Sequence, residues 1–306
     1  MRVAYARDAD SDQALGRLLA EKRASPYRDD LSVEALREAH AAAGATVPLP
    51  DEVEHRAVNA GGIPSEWIEA PGARDGRYFL FIHGGGYYRG SIAATRATAA
   101  RISAMTGARV LSIDYRLAPE HPYPAAIDDT RTAYHWLLGH GAGPEGIAVG
   151  GVSAGGGLTL ALLLALRDAG EALPAAAIPM SPWTDLTQSG GSFRANAATD
   201  PVICKPYLDR MARLYLNGVP ATTPYASPLH GELSGLPPLL IQVGEDETLR
   251  DDSTAFAEKA QAAGVDVTLE VWPQMFHGWQ GSAHVLADAR EALRHIGTFY
   301  RARVAD

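Results

Sequence analysis

The chain has 306 residues, 46% hydrophobic and 21% charged, the composition of a soluble globular protein with enough apolar material for one large α/β domain or two small ones. A formal net charge of −9 argues against nucleic acid as a partner, because neutralising phosphates needs a basic surface. The single cysteine, Cys204, excludes an internal disulfide and fits a reducing compartment.

The first residues, Met1 to Asp8, lack the apolar core of a signal peptide. The longest apolar run, Leu158 to Leu166, is too short to span a bilayer. A cytoplasmic location without membrane insertion is the expectation. Residues 1–50 carry two helical patterns: Gln13 to Arg23, with Leu15, Leu18 and Leu19 on one face, and Val33 to Ala43, with Ser32 as N-cap and Gly44 as stop. Val53–Val58 and Ile63–Glu69 read as an antiparallel hairpin turning at Gly61-Gly62.

From Tyr78 the pattern alternates. Tyr78–Ile82 is a fully apolar run, as in a buried central strand. The helix Ile92–Thr106, the strand Arg109–Ile113 and the helix Pro124–Leu138 follow. The strand Ile147–Gly150 then leads through a glycine-rich turn into a helix from Leu158 to Arg167. Ala175–Met180, Pro238–Val243 and Val267–Val271 are further strands, with helices at Asp251–Ala263 and Ala283–Ala302. Strands and helices in alternation predict an α/β fold with a mainly parallel twisted sheet covered by helices on both faces. Between Ser181 and Gly235 the alternation stops, apart from one amphipathic segment at Pro206–Leu216. An insertion of this length in an α/β fold serves a binding site, since ligands sit outside the carboxyl ends of the strands. Residues 1–50 are therefore expected to form an N-terminal helical cap segment on a catalytic domain of residues 51–306, with residues 181–235 contributing to cap and substrate pocket.

The glycine-rich turn is Gly151-Val152-Ser153-Ala154-Gly155, a G-x-S-x-G between strand and helix. That context is the nucleophile elbow, in which a strained turn holds one hydroxyl proud of the sheet at a helix N-terminus. A phosphate loop is the competing reading and fails, because no Gly-Lys-Ser/Thr follows. His83-Gly84-Gly85-Gly86 ends the strand Tyr78–Ile82. Acyl transfer needs N–H donors aimed at an oxyanion, and backbone supplies them where side chains do not crowd the approach. Gly85, Gly86 and Ala154 are the expected donors, with His83 and Gly84 orienting the loop.

A serine nucleophile needs a histidine base. His40, His284 and His295 lie in helical patterns and read as solvated, while His121, His135 and His140 follow earlier strands. His277, after the last strand, fits the chain order Ser…Asp/Glu…His. The acid must come from Gly244-Glu245-Asp246-Glu247-Thr248. Asp246, closest to the strand end while still in the loop, is preferred over Glu245 and Glu247, and Asp251 and Asp252 read as helix-start charges. Tyr87, Tyr88, Trp183, Phe193, Phe276 and Trp279 are the candidate lining of an apolar pocket. No His-x-x-x-His, Cys-x-x-Cys or dinucleotide fingerprint calls for a metal or cofactor.

With these residues in place, the chain resembles the hormone-sensitive-lipase-like bacterial esterases of the α/β-hydrolase fold. The matching stretches are His83–Gly86, Asp114 to Pro124, Gly151–Gly157, Gly244–Asp252 and His277-Gly278. The sequence departs from the family pattern at Val152, where Asp or Thr is usual, at Gly157, where Asn is common, and at Asp246-Glu247-Thr248-Leu249, where many relatives have Asp-Pro-Leu. The resemblance implies hydrolysis of small short-chain carboxylic esters, without cofactor, by Ser153, His277 and Asp246. Lactone opening by the same machinery is the alternative, and a homodimer is compatible with the pattern. A receptor on the same scaffold would lack the histidine, and His277 is present.

Overall fold

A computed structural model of the chain describes residues 3, 7, 9–25, 27 and 30–305; residues 1, 2, 4–6, 8, 26, 28, 29 and 306 of the expected N-terminal segment and C-terminus lie outside that description. Two helices lead, α1 (Ala9–Ala24) and α2 (Val33–Ala45). The body alternates as β1 (Glu54–Ala60), β2 (Ile63–Glu69), β3 (Arg74–Ile82), α3 (Ile92–Thr106), β4 (Ala108–Ile113), α4 (Ala125–Gly139), β5 (Ile147–Val152), α5 (Ala154–Asp168) and β6 (Ala176–Met180). The insertion carries α6 (Ser192–Ala195) and α7 (Lys205–Leu216), and β7 (Leu239–Gly244), α8 (Arg250–Ala262), β8 (Val267–Trp272) and α9 (Ala287–Arg303) complete the chain.

The eight strands form one sheet in the order β1-β2-β4-β3-β5-β6-β7-β8. The β1–β2 and β2–β4 pairs are antiparallel and all others parallel. This is the expected fold. β3 lies between β4 and β5, so both its edges are paired, and helices cover both its faces, so all five residues Tyr78–Ile82 are buried. Leu80 and Ile82 face a core shared with α4, α5 and α7, whereas Phe79 and Phe81 face one shared with α3 and α9. The pairing of Ile82 with Gly151 brings the carboxyl ends of β3 and β5 side by side. The glycine-rich loops after those strands are therefore neighbours.

Ser32 caps α2 as expected, its hydroxyl accepting from the Ala35 N–H at 3.2 Å. Gly44 does not stop that helix, which runs on to Ala45. A Cβ at Gly44 would lie 2.5 Å from Ala94 Cα, so the glycine serves the close approach of α2 to α3. Asp251 and Asp252 lie in the first turn of α8, as expected, but neither is its N-cap, a place that Leu249 takes. The helix begins at Arg250, and its first-turn carboxylates grip the insertion instead: Asp251 accepts from the Ser192 N–H at 2.8 Å, and Asp252 from the N–H groups of Thr184 and Asp185 at 2.8 and 2.9 Å. Among the described residues no helix is long and apolar enough to cross a membrane.

Candidate active site

Ser153 lies between β5 and α5 with φ +59° and ψ −119°, a backbone conformation that costs a non-glycine residue roughly 1–3 kcal/mol and persists only where the surroundings enforce it. The enforcement is visible. A Cβ on Gly155 would lie 2.1 Å from the Ile82 carbonyl oxygen, and one on Gly151 would lie 2.4 Å from the same atom. Only glycine lets the elbow fold this tightly against β3. The Ser153 N–H donates to the Met180 carbonyl at 2.9 Å, and the Ser153 carbonyl accepts from Trp183 N–H at 3.1 Å, which fixes the elbow to the end of β6.

The His83–Gly86 loop lies directly against this elbow. A Cβ at Gly84 would be 2.8 Å from the Val152 carbonyl oxygen and 3.4 Å from Ser153 Cβ. Gly85 and Gly86 have φ of +128° and +61°. The N–H groups of Gly85, Gly86 and Ala154 have no acceptor among the described residues, so three donors stand unsatisfied in the elbow and in the glycine loop that lies against it. His83 is buried, stacked on Tyr115 at 4.3 Å between ring centroids. Its Nδ1–H donates to the Gly84 carbonyl at 2.9 Å, and Tyr115 Oη donates to the His83 carbonyl at 3.1 Å. Burial pushes the pKa of His83 down, which keeps the ring neutral. His83 is thus tied to the backbone of its own loop, and Gly84 lies against the elbow.

After β8 the chain folds back across the end of β7, where a Cβ on Gly244 would lie 2.2 Å from the Met275 carbonyl oxygen. That crossing delivers His277 to the acid loop and Gly278 to the elbow: a Cβ on Gly278 would touch Val152 Cγ1 at 3.5 Å. His277 Nδ1 donates to Glu247 Oε2 at 2.9 Å. Glu247 is fully buried, and its other oxygen accepts from Ser181 Oγ at 2.7 Å and from the Gly244 N–H at 2.6 Å. Asp246, the acid that loop position favoured, does not face His277. It is half-buried, its carboxylate has no hydrogen-bond partner among the described residues, and burial with the charges of Glu245 and Asp200 raises its pKa. The physical reason is the turn itself. Glu247 N–H bonds back to the Gly244 carbonyl at 3.3 Å, curling the third loop residue inward while the second points away.

The insertion is fastened to this acid loop. Asn196 Nδ2 donates to the carbonyls of Glu245 and Glu247 at 2.9 and 2.7 Å, and Asp200 Oδ2 accepts from the Thr248 N–H at 2.8 Å. Its Oδ1 accepts from the N–H groups of Val202 and Ile203. Residue spacing did not reveal Ser181, Asn196 and Asp200; Ser181 carries a signal only in hindsight, as a small polar residue ending β6. Ser181 also has a positive φ, +45°.

The six candidate lining aromatics divide between two cores. Tyr87, Tyr88, Trp183 and Phe193 pack in the cluster that contains α7 residues, with Tyr87 stacked on Tyr215 at 3.8 Å. Phe276 and Trp279 belong to the opposite cluster, where Trp279 meets Trp272 at 6.0 Å and Lys22 Nζ of α1 lies 4.7 Å over Phe276. Those two turn away from Tyr87, because the chain at Trp279 has already entered a helical turn against α9. The helical histidines differ as well. His284 is exposed, but His40 is half-buried, and half-buried His295 bonds through Nδ1 to Glu270 at 2.7 Å. Among the described residues no His, Cys, Asp and Glu side chains group in threes to hold a metal.

The N-terminal helices reach the same end of the sheet. Arg37 of α2 donates to the Tyr88 and Ala118 carbonyls at 2.7 and 2.9 Å and pairs with Glu120. Leu31 and Tyr27 accept from Arg210 of α7.

The model of a family described as having the alpha/beta hydrolase fold matches residues 79–281. An acetyl-hydrolase of Streptomyces hygroscopicus is 45% identical over 244 residues, covering 80% of this chain and 81% of its own. An esterase of Acinetobacter venetianus is 36% identical over 276 residues, covering 90% and 91%. Among solved structures, an esterase from the bacterial hormone-sensitive lipase family superposes with a TM-score of 0.92 at 45% identity over 98% of this chain and 100% of that one. Strand order, elbow and similarity agree, and the chain belongs to the α/β-hydrolase fold family, among the bacterial esterases of the hormone-sensitive-lipase group.

Proposed function

We propose that the chain hydrolyses short-chain carboxylic esters through a covalent acyl-enzyme on Ser153, with His277 as base and Glu247 as its orienting carboxylate. The observation that carries the reading is the 2.9 Å bond from His277 Nδ1–H to a buried Glu247, in a loop that touches Val152 beside the nucleophile. With its proton on Nδ1, the imidazole keeps the Nε2 lone pair free to accept a proton.

His277 takes the Ser153 hydroxyl proton as Oγ attacks the ester carbonyl. The N–H groups of Gly85, Gly86 and Ala154 stabilise the oxyanion, and the α5 N-terminus adds its dipole. The imidazolium gives its proton to the leaving alkoxide, which departs as the alcohol. Water, deprotonated by the same histidine, then attacks the acyl-enzyme, and the acid leaves as Ser153 recovers its proton. Glu247 holds the productive tautomer and offsets the imidazolium charge.

Residues 1–50 and 181–235 act together as the cap. Arg37 clasping the Tyr88 loop, and Arg210 clasping Leu31, support that role. Tyr87, Tyr88, Trp183 and Phe193 bound a short apolar pocket, in which each accommodated methylene adds about 0.8 kcal/mol until the wall is met. The test is a panel of p-nitrophenyl esters of graded chain length, with lactones included, on wild type and Ser153→Ala. The expected kcat/KM rises from acetyl to butyryl or hexanoyl and then falls, with Ser153→Ala folded and lower by about 10⁶ in turnover. Substantial turnover by the folded serine variant, or efficient hydrolysis of long-chain triglycerides, would overturn the reading.

A further inference from the structure

Arg89 follows the glycine loop in sequence and packs back on it: a Cβ at Gly85 would lie 3.0 Å from Arg89 Cγ. Its guanidinium carbon stands 5.5 Å from the centre of the Tyr88 ring and 5.4 Å from that of Tyr207 of α7. Tyr207 in turn brings its hydroxyl to 3.4 Å from the Cβ position of Gly86, as Tyr88 does its Cδ1, so the two rings that carry the guanidinium border the glycine loop that lies against the elbow.

Neighbouring arginines have carboxylate partners: Arg37 pairs with Glu120 and Arg116 with Asp129. Arg89 has none among the described residues, and its Nε is buried without a hydrogen bond. Burial, then the charges of Arg89 and His83, lowers the pKa of His40 of α2 to about 3, so its ring stays neutral and adds no second positive charge beside the guanidinium. Arg89 is thus a half-buried cation that no acid of the described residues neutralises. Cation–π contact with two rings holds the guanidinium in place and leaves its fork of donors for a planar anion.

We infer that Arg89 binds a carboxylate carried by the substrate, so that the preferred esters bear a second, anionic carboxyl group. This rests on Ser153 and the adjoining glycines being the reacting centre. The carboxylate belongs either to the acyl part, as in a half-ester of a short dicarboxylic acid, or to the alcohol part, as in an acylated hydroxy acid.

The experiment compares kcat/KM for anionic and neutral esters of similar length. One arm sets p-nitrophenyl hydrogen glutarate against p-nitrophenyl hexanoate, and the other sets p-carboxyphenyl butyrate against p-carbamoylphenyl butyrate. Arg89→Met is expected to lower the anionic-to-neutral ratio about tenfold or more in one arm, mainly through KM, with the neutral ester within about threefold of wild type. Arg89→Lys should retain part of the preference, because charge survives while the fork is lost. An unchanged ratio in both arms, or an equal loss on both esters of each pair, makes Arg89 a structural clamp and overturns the assignment. If Arg89→Met fails to fold, wild type decides: raising ionic strength from about 0.02 to 0.5 M should erode only the anionic preference, and a flat ratio refutes it. Failure of the underlying reading shows separately, as neutral-ester turnover that survives Ser153→Ala.

Discussion

Replacing Glu247 by Gln separates the two acids that compete for His277. Glu247 receives three hydrogen bonds, from His277 Nδ1, Ser181 Oγ and the Gly244 N–H. A glutamine has one carbonyl oxygen for these places, and its NH₂ must face one side. The Gly244 N–H can only donate, so the oxygen stays there and the NH₂ faces His277. Nδ1 then has to accept, its proton moves to Nε2, and the ring can no longer take the proton of Ser153. An amide at the orienting position of a serine triad costs about 10⁴ in kcat, or roughly 5 kcal/mol of transition-state stabilisation. KM should barely change, and the fold should persist, because the substitution is isosteric and removes a buried charge. Asp246→Asn, altering a carboxylate that bonds nothing described, should stay within about threefold of wild type. The assay is steady-state hydrolysis of p-nitrophenyl butyrate, with circular dichroism and melting curves on both variants. Glu247→Gln within tenfold of wild type, or a fall of about a thousandfold in Asp246→Asn, would refute the assignment.

Ser181→Ala removes one of the two bonds on Glu247 Oε1 and should lower kcat about three- to tenfold with little change in melting temperature, as befits an outer contact that only orients the acid. Arg7→Met should destabilise the fold by about 3–5 kcal/mol in urea titration, since it leaves the buried Asp288 carboxylate, 2.7 Å from Arg7 Nε, without its cation; a loss under 1 kcal/mol would discount that pair. Although burial pushes the Asp185 carboxyl up, hydrogen bonds from Ser189, Thr187 and His230 hold it down at about 2. The unfolded value lies higher, near 4, so its stabilisation is complete above that and is lost as pH falls toward 2. Asp185→Asn should therefore flatten the acid limb of a urea-stability profile between about pH 4 and 2, and an unaltered slope would count against it.

Much of this was legible in the chain because it is local. The elbow and the glycine loop are short strings whose chemistry depends on nearest neighbours, and the apolar run Tyr78–Ile82 announces a strand covered on both faces. What escaped depends on partners distant in sequence. Gly44 reads as a helix stop until Ala94 is known to sit against it. Three acids in a row cannot be ranked by nearness to the strand, because the inward one is chosen by a turn and by Ser181, 66 residues earlier. Trp279 and Tyr87 look equivalent as aromatics near glycines, yet they fall on opposite sides of the sheet. The position of β3 between β4 and β5 likewise follows from crossover geometry rather than from composition.

The clasp of Asn196 and Asp200 on the acid loop bears on how such an enzyme can be re-engineered. The segment that the proposed cap role marks for exchange is also the segment that holds the backbone on either side of Glu247. Grafting a relative's insertion is therefore a transplant with two sutures. A donor segment that lacks an amide and a carboxylate at those two positions would reshape the pocket and loosen the base together. Libraries that keep Asn196 and Asp200 fixed while varying the residues between α6 and α7, and along the face of α7, should yield more active variants per clone than libraries that vary the whole segment.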